Sequence, residues 1–161
     1  MRLEQSGLPI IDSTLATVKA LQDHRASSSY LVSGDAKRGV PQPKHAAAVS
    51  EALSRLEAQV GLMADGTADQ RLASIKRGWA ALLTNITDRK IDQRRVTADH
   101  IALIQTTLRL VEDITAWSTI DLDPDARAYY IARATLIDLP QLSETIGQLR
   151  SPVVALNSNR N

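Results

Sequence analysis

Cysteine is missing from this 161-residue chain, and so is phenylalanine. Without cysteine there is no disulfide framework, no thiolate metal site and no thiol nucleophile. Aromatics make up only 3% of the residues and glycines number seven. The remainder, led by alanine and leucine, is a helical composition. A surplus of either charge is also absent, because 19 Lys and Arg oppose 18 Asp and Glu for a formal net charge of +1. That balance excludes a dedicated nucleic-acid binder, whose phosphate contacts need a basic surplus. No apolar run approaches the roughly 18 residues that a bilayer span requires, and the start does not resemble a signal peptide. The chain as given is therefore expected to be soluble, with one globular domain over 1–161.

Apolar residues recur in alternating steps of four and three. The first such seam is Ile11, Leu15, Val18, Gln22, Arg25, Ser29 and Val32, opening at Pro9, and predicts a helix over about 9–35. Three of its members are polar. Gly34, Gly39, Pro41 and Pro43 then mark a turn. A second seam, Val49, Leu53, Leu56, Val60 and Met63, predicts a helix over 43–63. The next, Leu72, Ile75, Trp79, Leu82 and Ile86, starts nine residues after Met63, which is not a seam step. A break between Ala64 and Asp69, near Gly66, follows from that phase change, with helix resuming over 69–87. The polar stretch from Thr87 to Arg95 reads as a connection. Val96, His100, Leu103, Thr107, Leu110, Ile114 and Trp117 predict a helix over 95–118. Asp123 and Pro124 form a helix-entry signal for a last helix over 123–155, with Tyr129, Ala132, Leu136, Leu139, Ile146 and Val153 facing a core and Pro140 bending it. Four helical units with short connections most simply make an antiparallel up-down four-helix bundle, all-α, with its second helix broken.

Known chemistries can be tested against this frame. Di-iron bundles need Glu-x-x-His pairs, and none precedes His24, His45 or His100. Covalent haem needs cysteine, a phosphotransfer His-x-x-Lys-Gly motif is missing at His24, and no glycine-rich phosphate loop or Gly-x-Ser-x-Gly elbow occurs. No metal, no cofactor and no catalytic residue is expected, so the chain does not read as an enzyme. His100, Trp79 and Trp117 read as core residues, and the basic cluster of Arg89, Lys90, Arg94 and Arg95 as a solvated loop.

Arg25 is the informative oddity. A charge on a core-facing seam is costly unless paired or hydrogen-bonded, and Gln22, Ser28 and Ser29 add to the polar interruption. Counting from helix ends puts Arg25, Thr107 and Arg133 each roughly 15 Å from a tip, and so at one level. Tyr129 lies one turn from Arg133 on the same face. Two guanidinium groups, hydroxyls and a phenol would suit a small carboxylate. The alternative is a structural network in which Arg25 or Arg133 pairs with an Asp or Glu, or reaches solvent.

The run from Leu21 to Asp35, Leu-Gln-Asp-His-Arg-Ala-Ser-Ser-Ser-Tyr-Leu-Val-Ser-Gly-Asp, resembles the Gln-x-His-Arg-Gly segment, ending in Gly-Asp or Gly-Asn, of periplasmic four-helix sensor domains in bacterial methyl-accepting chemotaxis receptors. In the same order follow Trp79-Ala80-Ala81-Leu82, His100-Ile101-Ala102-Leu103-Ile104, Asp123-Pro124, Tyr129-Tyr130-Ile131, Leu139-Pro140-Gln141-Leu142-Ser143-Glu144 and Gly147-Gln148-Leu149-Arg150, together spanning nearly the whole chain. Ala26 departs from the family's glycine. The resemblance implies a domain flanked by two membrane-spanning helices absent from this chain, on the periplasmic side of the bacterial inner membrane. It implies a ligand site between the first helix and the start of the fourth, which favours a ligand role for Arg25. The expected function is sensing of a small organic acid, with Arg25, Ser28, Ser29, Thr107, Tyr129 and Arg133 as ligand contacts and a helix or subunit shift as the output. A homodimer or higher homo-oligomer is expected, with Tyr30, Leu31 and Val32 as an apolar surface for it. The competing reading is a helical dimerisation or protein-interaction module with no small ligand.

Overall fold

In the computed structural model the chain is all-helical, with no strand among the described residues. The structure describes residues 3–32, 42–118 and 126–158, and the environments of the side chains within 6–28, 43–118 and 127–149. The helices are α1 (Leu3–Val32), α2 (Gln42–Val60), α3 (Gly66–Thr87), α4 (Gln93–Trp117), α5 (Ala126–Arg133) and α6 (Leu139–Ser158). A π-helical stretch, Ala134–Asp138, joins α5 to α6 without a break. α1 begins earlier than its proline suggested, so Pro9 lies inside the helix and not at its first position.

The apolar seams of α2 and α3 and most of that of α4 are buried in three dimensions. Leu72, Ile75, Trp79, Leu82 and Ile86 all face inward from α3, and Val49, Leu53, Leu56 and Val60 do so from α2. Ile11, Val18 and Leu21 of α1 meet Val96, Ile104, Leu110 and Ile114 of α4 in the same core. α1 packs most extensively on α4 and α2, and α3 packs on α4. Trp79 Nε1 donates to Ser50 Oγ at 3.3 Å and Lys76 Nζ to Glu57 at 2.6 Å, so α2 and α3 run in opposite directions.

The helix break falls at Gly61–Asp65, slightly before the 64–69 window that the phase change suggested, and it reverses the chain between two antiparallel helices where a kink within a single second helix was expected. Gly61, Leu62 and Met63 form a turn, and Ala64 sits in the left-handed region at φ 53°. Asp65 then caps α3 by accepting from the Thr67 and Ala68 amides at 2.8 and 3.4 Å. At the α3–α4 connection Arg89 is left-handed at φ 54°, and Lys90 N–H donates to the Asn85 carbonyl at 3.0 Å. This six-to-one bond is a Schellman ending in which arginine occupies the usual glycine position. Asp92 caps α4 through the Arg95 amide at 2.8 Å.

The last helix departs most from expectation. Leu136 packs against the core, but Leu139 and Ile146, both expected inside, are more than half exposed. The cause is the π-helical stretch, in which Leu139 N–H donates to Ala134 five residues back. One extra residue in that turn changes the phase of everything beyond it. Pro140 follows at once, and explains the distortion. Proline has no N–H to donate, and in a regular α-turn its ring would clash with the carbonyl four residues back.

Candidate functional site

Two polar assemblies interrupt the aliphatic core. The first is centred on Arg25, which is 4% exposed, and Glu144, which is 0% exposed. The guanidinium grips the carboxylate with both nitrogens, at 2.6 and 3.3 Å. Gln22 Nε2 donates to Glu144 Oε2 at 2.9 Å and Gln148 Nε2 donates to Oε1 at 3.0 Å. Each carboxylate oxygen thus accepts two hydrogen bonds, the condition under which a buried ion pair is tolerated. Gly147 lets the two helices approach. A Cβ at that position would lie 2.9 Å from an Arg25 nitrogen, and the guanidinium could yield only by loosening its hold on Glu144.

One residue back on α1, His24 lies against His100 of α4, with Nδ1 to Nε2 at 2.8 Å, and both are 0% exposed. His100 Nδ1 is 2.7 Å from the Val96 carbonyl, which can only accept, so that nitrogen carries the proton. His100 Nε2 is then the acceptor and His24 Nδ1 the donor. Ser28 Oγ lies 3.3 Å from the same His24 nitrogen, and Trp79 meets the His24 ring edge-on at 4.7 Å between centroids. Burial lowers the pKa of His24 from 6.5 to about 3, with its neighbour His100 adding to the effect. Burial likewise lowers that of His100 to about 4, with the nearby Arg25 charge in support and the Val96 bond in opposition. Both rings are neutral at pH 7.

The second assembly is a cleft of about 360 Å³ between α4 and the junction of α5 with the π-helical stretch. Glu112 and Thr115 line it from α4, with Tyr129, Ala132, Arg133 and Ile137 opposite. The Thr115 hydroxyl donates to Val111 at 2.7 Å, so towards the cleft it offers only an acceptor. Glu112 accepts from Gln141 Nε2 at 3.0 Å. Arg133 is exposed, and Asp138 is 4.0 Å from its Nε.

The residues expected to share one ligand site are therefore divided. Tyr129 and Arg133 meet in the cleft. Arg25 and Ser28 stand in the buried polar layer, with Arg25 bound to Glu144 and Ser28 to His24. Thr107 is buried and donates to its own helix at Leu103, 2.9 Å away. The side chain of Ser29, like those of Tyr30, Leu31 and Val32, lies outside the described residues. The levels differ because α4 starts, and does not end, beside the C-terminal end of α1: His100 is seven residues into α4 and His24 eight residues before the end of α1. With His24 level with His100, Thr107 stands about 10 Å farther along α4 than the Arg25 layer. Glu144 was missed because its partner is 119 residues away in sequence; the signal available was the uncompensated charge of Arg25 itself. Glu112 and Thr115 carried no signal.

No group of three or more His, Cys, Asp or Glu arranged to hold a metal occurs among the described residues. No helix among them is long and apolar enough to cross a membrane. No family model, curated protein or solved structure matches the chain.

Proposed function

We propose that this chain is the periplasmic ligand-binding domain of a bacterial transmembrane chemoreceptor, an up-down four-helix bundle that senses a small organic acid in the cleft between α4 and α5. In this bundle α1 to α4 are the four alternating helices, α2 and α3 being separate antiparallel members, and α5, the π-helical stretch and α6 form one further helix packed on α1 and α4. The opposed directions of α2 and α3 support that arrangement, and the ordered set of sequence segments resembling chemoreceptor sensor domains supports the functional reading. The observation that carries the ligand reading is the placement of Arg133 and Tyr129 in one cleft. A guanidinium presents a planar fork to a carboxylate, and a phenol adds a donor. Glu112 on the α4 side repels a second negative charge, so the cleft favours acids with a single carboxylate. Arg25 has no place in ligand contact here, because Glu144 already occupies its fork.

A ligand bridging α4 and α5 binds the two sides of a helix pair, and any difference in affinity between two arrangements of that pair shifts the population. Thermal shift over a panel of aliphatic and aromatic monocarboxylates tests the proposal. At least one acid should raise the melting temperature of the wild type, and Arg133→Ala should remove that rise. No rise across the panel, or a rise that Arg133→Ala retains, overturns it.

A further inference from the structure

On α6, Leu139, Leu142, Ile146 and Leu149 follow at steps of three, four and three, and each is more than half exposed. At 3.6 residues per turn these four fall within about a quarter-turn of one another, and Glu144 points about 180° away from their mean direction. Because Glu144 is anchored to Arg25, the helix cannot rotate to bury the leucines against its own core. With the π-helical stretch absorbing one residue, Ile131 and Tyr130 of α5 continue the same stripe, also more than half exposed.

We infer that this stripe is a self-association surface and that a second copy of the chain covers it. The spacing of three and four is that of a helix seam packing knobs into holes against a like seam. Between Leu139 and Leu149 the one charged residue is Glu144, and it is turned inward. Over that span the outer face therefore carries no charge to repel its own copy and none to select a partner of opposite sign, and the exposed Asp138 lies at its edge. The six side chains leave on the order of 600 Å² in solvent, approaching the about 800 Å² per partner of a standard interface. Contiguous apolar patches of that size mark association sites. The inference does not depend on the cleft taking a ligand.

Sedimentation equilibrium of the whole chain from about ten micromolar to one millimolar reads the outcome. The wild type should be dimeric at the upper end, and Leu142→Glu with Ile146→Glu should be monomeric throughout, with unchanged helical circular dichroism and melting temperature. Leu62→Glu, an exposed leucine at the α2–α3 turn, should leave the dimer intact. Should the glutamate pair fail to fold, Leu142→Ala with Ile146→Ala must still weaken dimerisation at least tenfold. A monomeric wild type across the range, or a dimer that the alanine and glutamate pairs leave unchanged, overturns the inference.

Discussion

His24 donates to His100 across the α1–α4 interface at 2.8 Å, and the pair stays unprotonated far below the pH at which a free imidazole would charge. Both rings are fully buried, which disfavours a second proton on either, and once charged each would face the other as a like charge.

This linkage makes stability depend on pH with a definite sign. An unfolded histidine binds a proton below about pH 6.5, whereas the native pair does so only near pH 3 to 4. The unfolded state therefore holds more protons between those limits, and native stability falls as pH falls. The stabilisation is complete above pH 6.5. At pH 5 the loss is on the order of 2 kcal/mol per histidine. Urea unfolding at pH 7.5, 6 and 5 should show it, with His100→Gln flattening the decline; a wild-type stability that is level over that range counts against the neutral pair.

Arg25→Ala leaves Glu144 buried with two glutamine donors and no countercharge. The expected loss is about 3 to 5 kcal/mol, and Glu144→Ala should cost a similar amount for the opposite reason. The double variant Arg25→Met with Glu144→Leu removes both charges together and should be markedly less damaging than either single change. Chemical denaturation of the three proteins decides this, and single losses below about 1 kcal/mol would show that the pair is not buried as described.

Ala64 and Arg89 both hold left-handed backbone, at φ 53° and 54°. A side chain there costs about 1 to 2 kcal/mol that glycine avoids, partly offset by the greater freedom of glycine in the unfolded chain. Ala64→Gly and Arg89→Gly should each raise stability by about 0.5 to 1 kcal/mol, read as an increased urea midpoint. A drop in midpoint would mean that these turns are not left-handed in solution.

The aliphatic seams were legible because burial of one helix face is a local rule: Leu72 to Ile86 names its own inward side without reference to the rest of the chain. The need of Arg25 for a polar partner was legible too, since a charge on a buried stripe demands one. The identity of that partner was not. Finding Glu144 requires the phase of the last helix, and the extra residue before Pro140 alters that phase in a way that no three-and-four pattern records. Leu139 and Ile146 were placed inside for the same reason. Tyr129 and Arg133 share a site because they are one turn apart on one helix, whereas their neighbours across the cleft depend on which end of α4 the last helix packs against.

The π-helical stretch is, in geometric terms, one extra residue stored inside a helix. It keeps the cleft residues before it and Glu144 after it on their proper sides, because the added residue is absorbed within one widened turn. Deleting Thr135 alone would restore a regular turn and drive the Pro140 ring against a carbonyl, while replacing Pro140 alone would remove the reason for the widening. Insertion and proline are thus a linked pair of characters, each tolerated because of the other.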